Sequence, residues 1–162
     1  MAEQTILPFI DPFQSVVIGT VDAEGLPFSS YAPFVHYDHR FYIYISDIAT
    51  HAKNLKRNKK SSLFFIEDES QAANIFARKR ISLQCTAALI PRDAALFSPV
   101  MARFSDKFGE EMVSMLMKMA DFNLYELAAF AGEATYGFGE AYRVGGEYME
   151  SLLPRQGGSG HK

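Results

Sequence analysis

From Phe76 to Ala87 the side chains alternate in character with a period of two, which is the period of a β-strand and not of a helix. Ile81, Leu83, Cys85, Ala87 and Leu89 form one apolar row, and Arg78, Arg80, Ser82, Gln84 and Thr86 form the opposite, polar row. A strand of this kind puts one face into a core. Its two guanidiniums at i and i+2 are expected to point the same way at one end of the polar face. Such a pair can grip a carboxylate or phosphate bidentately, or it can act as a basic edge that discourages pairing with a foreign strand.

The chain on either side supplies a sheet for that strand. Phe13–Val21, Pro27–Tyr37 and Phe41–Ser46 read as three strands separated by the turns Asp22-Ala23-Glu24-Gly25 and Asp38-His39-Arg40. Connections this short imply an antiparallel meander. Pro33 implies an edge position or a bulge, because it has no N–H to give to a ladder. Thr50–Asn58 reads as a short helix with Thr50 as N-cap, and Ser61–Glu67 as a fourth strand. From Pro91 to Ala120 the period changes to about 3.6. Asp93–Phe104 is predicted as one helix, interrupted near Pro99. Ser105–Ala120 is predicted as another, with Ser105 as N-cap and Met112, Met115, Leu116 and Met119 as an apolar stripe filling the core. Phe122–Phe130 and Glu133–Val144 flank Gly132 as closing strands. The pattern predicts a predominantly β fold with minor α, an antiparallel barrel with helices over one mouth or one side. Residues 1–162 are expected to form a single domain, with a Gly-rich tail at 154–162 that carries His161.

Charge narrows the function. A formal net charge of -3 argues against a general nucleic-acid binder. Yet Lys53, Lys56, Arg57, Lys59, Lys60, Arg78, Lys79 and Arg80, half of the 16 basic residues, fall in one short window. This points to a local anion-binding region, or to a solvated helix face. The lone Cys85 excludes an intramolecular disulfide and lies in the apolar row, as a buried thiol does. No apolar run can span a bilayer and no secretory leader is visible, so the expected setting is cytoplasmic, with no membrane partner. The 14 Phe and 8 Tyr can furnish both a core and a surface for a flat ligand.

Among four histidines, His36 at a strand end and His39 in a turn are expected at the surface. His51 at a helix start could serve an anion site or merely the helix cap. Zinc-type Cys-x-x-Cys, His-Glu-x-x-His and EF-hand patterns are absent. Gly137-Phe138-Gly139 is too short for a phosphate-cradling loop and falls within a strand pattern.

Five segments in order, Ser30-Tyr31-Ala32-Pro33-Phe34-Val35, His51-Ala52-Lys53-Asn54-Leu55, Ile66-Glu67-Asp68-Glu69, Phe76-Ala77-Arg78-Lys79-Arg80 and Gly137-Phe138-Gly139-Glu140-Ala141-Tyr142, resemble the haem-utilisation (HugZ/HutZ-type) proteins. That family is a branch of the pyridoxamine 5'-phosphate oxidase-like split β-barrels, and the likeness runs from Phe13 to the tail. The resemblance implies a homodimer of split barrels with ligand sites at the interface. It implies haem as both cofactor and substrate, degraded to a biliverdin-type product with electrons from an external donor. Carried over residue by residue, it makes His161 the axial ligand of the haem iron. Arg78 or Arg80 falls on the distal side or at the propionates, and Asp121 of the facing protomer hydrogen-bonds the axial imidazole. The other functions it allows are a non-catalytic haem storage or delivery protein and an FMN-dependent oxidoreductase of the same fold. The chemistry is consistent with haem: imidazole ligates haem iron, a carboxylate on its second nitrogen fixes the tautomer, and propionates need cations.

Overall fold

In the computed structural model, which describes residues 4–155, the strands are β1 (Ser15–Val21), β2 (Pro27–Tyr37), β3 (Arg40–Ser46), β4 (Lys60–Ile66), β5 (Arg80–Ile90), β6 (Phe122–Thr135), β7 (Ala141–Gly145) and β8 (Ser151–Pro154). The helices are α1 (Leu7–Ile10), α2 (Thr50–Arg57), α3 (Phe97–Phe108) and α4 (Glu110–Met117). The strands run β3-β2-β1-β4-β5-β6-β7-β8, all antiparallel, and β3 pairs again with β6. That second pairing closes β1–β6 into a six-stranded barrel, from which β7 and β8 extend. The fold is mostly β with four helices, as the patterning predicts.

One row of partners explains the interior. Ser30, Ile18, Leu63, Leu83, Gly132, Val144 and Leu152 stand opposite one another across six neighbouring ladders. Ile18, Leu63, Leu83 and Val144 are all buried. Gly132 sits in this row because a Cβ there would lie 2.7 Å from Leu83 Cδ2, 2.8 Å from the Ser82 carbonyl oxygen and 3.2 Å from Val144 Cβ. The row one residue over faces outward: Tyr31, Val17, Phe64, Ser82, Glu133, Arg143 and Leu153. Tyr31 is 66% exposed and Val17 39%.

Several boundaries differ from those the sequence suggests, each for a local reason. Instead of two strands divided at Gly132, β6 is one continuous strand of 14 residues. Its register with β5 slips between Gln84 and Cys85, leaving Phe130 as the extra residue of a β-bulge. The bulge moves the inward row of β6 from odd positions (Tyr125, Leu127) to even ones (Ala134). β5 begins at Arg80, so Arg78 lies outside the strand, and Leu89 is exposed although Ile81, Leu83, Cys85 and Ala87 are buried. Gly137 and Gly139, both at positive φ, form the β6–β7 turn and are not part of a strand. Pro33 is the last β2 residue paired to β1, and Phe34 is the first paired to β3, so its missing N–H falls where the ladder changes partners.

β3 is buried on both faces: Phe41, Ile43 and Ile45 fill the barrel, while Tyr42 and Tyr44 meet Phe97, Val100, Met101 and Phe104 of α3 outside it. Pro99 does not interrupt α3. It lies in the first turn, where its N–H would find no partner in any case. The break falls at Gly109, at φ 98°, not at Ser105. α4 packs through Val113, Leu116 and Met117, so Met112, Met115 and Met119 stay exposed and do not fill the core. α2 is flanked by Ala49 and carries no side-chain cap from Thr50. No helix among the described residues is long and apolar enough to cross a membrane.

Substituting Gly132→Ala inserts a methyl group into that inner row. Overpacking of this kind costs about 1–3 kcal/mol; a lower urea midpoint with an unchanged slope is the expected result.

Candidate functional site

Two groups of polar side chains sit at opposite ends of the barrel. At one end α2 closes the mouth with Ala52 and Leu55 buried beneath it. Two polar contacts fix its orientation. Asn54 Nδ2 donates to Thr20 Oγ1 at 3.0 Å, both side chains buried, and His51 Nδ1 shares a 2.8 Å hydrogen bond with Ser30 Oγ. Burial holds His51 below the ordinary histidine pKa. It is therefore a neutral imidazole at neutral pH, with Nδ1 engaged and Nε2 the nitrogen left for a ligand.

Asp121 belongs to the same end. Ser46 Oγ donates to its Oδ2 at 2.5 Å, and its backbone carbonyl accepts from Asp47 N–H at 2.7 Å. Asp47 in turn accepts from Asn123 Nδ2 at 2.8 Å and pairs with Lys56 at 3.1 Å. These bonds lock the junction between the end of β3, α2 and the start of β6, and they place His51 and Asp121 on one rim.

Arg78 and Arg80 occupy the other end. Arg80 and Ile90, the latter near Asp121, are the two ends of β5, a chain contour of roughly 33 Å at strand rise. The two guanidiniums do not share a strand face, since Arg78 lies outside β5, and they have different partners. Arg78 follows a 3₁₀ turn at Ile75–Ala77, and its Nε and Nη2 both donate to the Glu67 carbonyl, at 3.1 and 2.6 Å. Its Nη1 stands 3.8 Å from Glu69. Arg80 Nη1 donates to the Arg78 carbonyl at 2.9 Å. Strand alternation fails here because the chain leaves extended geometry before Arg80 and the side chains satisfy the carbonyls so exposed. Arg78 is chiefly a brace for this loop, whereas Arg80 keeps Nε and Nη2 without a partner among the described residues. Beside them Phe76 is 86% exposed and Ile75 55%, an apolar surface next to a cation. His161 lies outside the described residues.

A further cluster escapes sequence reasoning. His36 and His39 are not idle surface residues: His36 Nε2 and His39 Nδ1 both donate to Glu150 Oε1, at 3.2 and 2.9 Å, and Tyr148 stacks on His39 at 3.6 Å. Glu150 is buried and lies 111 positions from His39, beyond the reach of any local pattern. Burial lowers the His36 pKa, against opposing attraction from Glu150 and Asp11. Burial also pushes the Cys85 thiol up to about 12, so it is inert. No group of three or more His, Cys, Asp or Glu among the described residues is arranged to hold a metal ion.

A protein-family model described as pyridoxamine 5'-phosphate oxidase matches residues 2–136. The chain is 39% identical over 151 residues to the heme oxygenase HutZ of Vibrio cholerae, covering 93% of this chain and 85% of that protein. The crystal structure of Vibrio cholerae HutZ, described as a heme storage protein, superposes with a TM-score of 0.69 at 38% identity, over 76% of this chain and 89% of that one. Campylobacter jejuni ChuZ superposes with a TM-score of 0.82 at 33% identity, over 97% of this chain and 63% of that one.

The lowered histidines predict a pH dependence of stability. Between the folded pKa values of His36 and His51 and the unfolded value of about 6.5, the unfolded chain binds more protons. Stability from these groups is thus complete above about pH 6.5 and is lost as pH falls below it. Urea midpoints should fall between pH 7.5 and 5.5. His36→Gln, which keeps a donor for Glu150 but cannot titrate, should show a shallower fall.

Proposed function

This chain belongs to the pyridoxamine 5'-phosphate oxidase family, in its HutZ-type haem-utilisation branch, and from that premise we propose that it binds haem and opens the porphyrin to a biliverdin-type product with release of iron. The observation that carries the reading is the 39% identity over 93% of the chain to a heme oxygenase. The residues on the page fit such a ligand: the exposed apolar side chains of Phe76 and Ile75 beside Arg80, and the exposed pair Tyr31 and Val17 on the outer barrel face, suit a flat ring, and Arg80 suits its acidic edge.

The assembly proposed is a homodimer joined through the outer barrel face. In an isologous contact with strands antiparallel across the dyad, the Arg80 end of one protomer meets the His51 and Asp121 end of its partner. Residues from opposite ends of one chain's barrel then share one site. Haem, once bound, supplies the oxygen chemistry, and the protein binds and orients it. His161 is proposed as the axial ligand, with the carboxylate of the facing protomer's Asp121 accepting from its second N–H and so fixing its tautomer. Arg80 donates to the propionate edge or on the distal side. His51, held at Nδ1 by Ser30, has Nε2 left to donate or accept at the same rim. An external reductant supplies electrons, and the setting proposed is the cytoplasm.

Haem storage or delivery is the second reading, favoured by the description of Vibrio cholerae HutZ as a heme storage protein. The family name keeps FMN as a third ligand to be tested. Haemin titration of purified protein should give a Soret band that saturates near one haem per chain and then decays to biliverdin-like absorption with ascorbate in air. Saturation without decay moves the function to storage or delivery, and no saturation removes haem. His161→Ala should leave the fold intact and change the Soret position; an unchanged spectrum would take His161 out of the site.

A further inference from the structure

We propose that Arg143 and Arg155 form an oxyanion pocket at the base of the C-terminal segment, and that on the haem reading above it receives a propionate carboxylate. A cavity of 220 Å³ lies between these two residues, lined also by Gly132, Glu133 and Tyr142. β7 turns Arg143 outward, opposite Glu133 on β6 and Leu153 on β8. Arg155 follows Pro154, the last residue of β8, which pairs with Tyr142. Gly145 makes room for the arrangement: a Cβ there would lie only 3.3 Å from Arg143 Nη1.

Charge sets this cavity apart. Two guanidiniums share it with one carboxylate, which leaves a net charge of +1. Among the described residues none of the three takes part in an ion pair. Several other cations are already engaged: Arg40 with Glu126, Lys56 with Asp47, Arg78 with the Glu67 carbonyl and Arg92 with three backbone carbonyls. A larger cavity of 370 Å³ beside His36 also has two cations, Arg103 and Lys107, but Asp11 and Asp106 face into it and balance them. Of these two cavities, the one at Arg143 and Arg155 presents two forked donors and a surplus of positive charge, the arrangement that recognises carboxylate or phosphate.

Position links the pocket to the proposed haem site. Arg80 pairs with Thr135, and Thr135 with Ala141, the neighbour of Tyr142, so the cavity and Arg80 are at the same end of the barrel. Six residues connect Arg155 to His161, a reach of at most about 20 Å. With Arg78 committed to the Glu67 carbonyl, Arg143 and Arg155 add two forks to Arg80 at the end of the barrel where an acidic edge needs neutralising.

The test titrates wild type, Arg143→Gln, Arg155→Gln and the double variant with haemin, with haemin dimethyl ester and with FMN. Loss of one charge-assisted bond should weaken haemin about tenfold in each single variant, while binding of the ester, which has no carboxylate, stays equal across the set. Glu133→Gln, which removes the competing carboxylate, should tighten haemin a few-fold and gives a gain that misfolding cannot imitate. If wild type binds haemin and all variants match it, the pocket assignment falls and the haem reading stands. If wild type fails to bind haemin, the haem reading falls. In that case, FMN binding that weakens in the double variant sustains the oxyanion pocket with a phosphate in it, and no such change overturns it too.

Discussion

Everything else in the molecule depends on the pairing of β3 with β6. Six residues of β3, Phe41 to Ser46, lie against Leu127 to Phe122, and without this ladder the sheet would remain open with β3 as a free edge. Closing it requires a strand buried on both sides. β3 meets that demand with aliphatic and aromatic residues at five consecutive positions. The helical segment between β5 and β6 then acquires its purpose, since α3 covers the outward tyrosines that a closed barrel alone would leave in water.

The same closure spreads the chemically interesting residues over two rims instead of gathering them inside. The barrel interior is filled with aliphatic and aromatic side chains. Polar groups collect where strands end, and antiparallel strands end on two sides. His51 and Asp121 are held by short bonds to Ser30 and Ser46 on one rim; Arg80, Arg143 and Arg155 stand on the other. Along the outer row of this well-filled barrel, apolar residues such as Tyr31 and Val17 stay exposed.

The strands of the meander were legible because alternation and short turns are local. β2 has the predicted bounds, Pro27–Tyr37, and β5 carries the predicted buried row from Ile81 to Ala87. What escaped depends on partners far along the chain. The bulge at Phe130 arises from how β6 meets β5, so the sequence suggested two strands where there is one. The methionines of α4 have helical spacing, but which face is covered depends on where α3 sits. The buried Cys85 could be read from its place in the apolar row, whereas the role of Arg78 could not: its partner is a carbonyl, and carbonyls carry no sequence signature. The bridge from His36 and His39 to Glu150 joins segments more than a hundred residues apart.

That bridge is part of a seam along which the beginning and end of the described chain are stitched together. Ile6 donates its N–H to the Glu150 carbonyl, Leu152 donates to that of Gln4, and Thr5 bridges Ser151. In connectivity the chain is thus nearly a ring, broken at a point where both flanks already lie in register. A short linker across the break, with new termini opened at the Asp22–Gly25 turn, gives a circular permutant in which every ladder of the barrel survives.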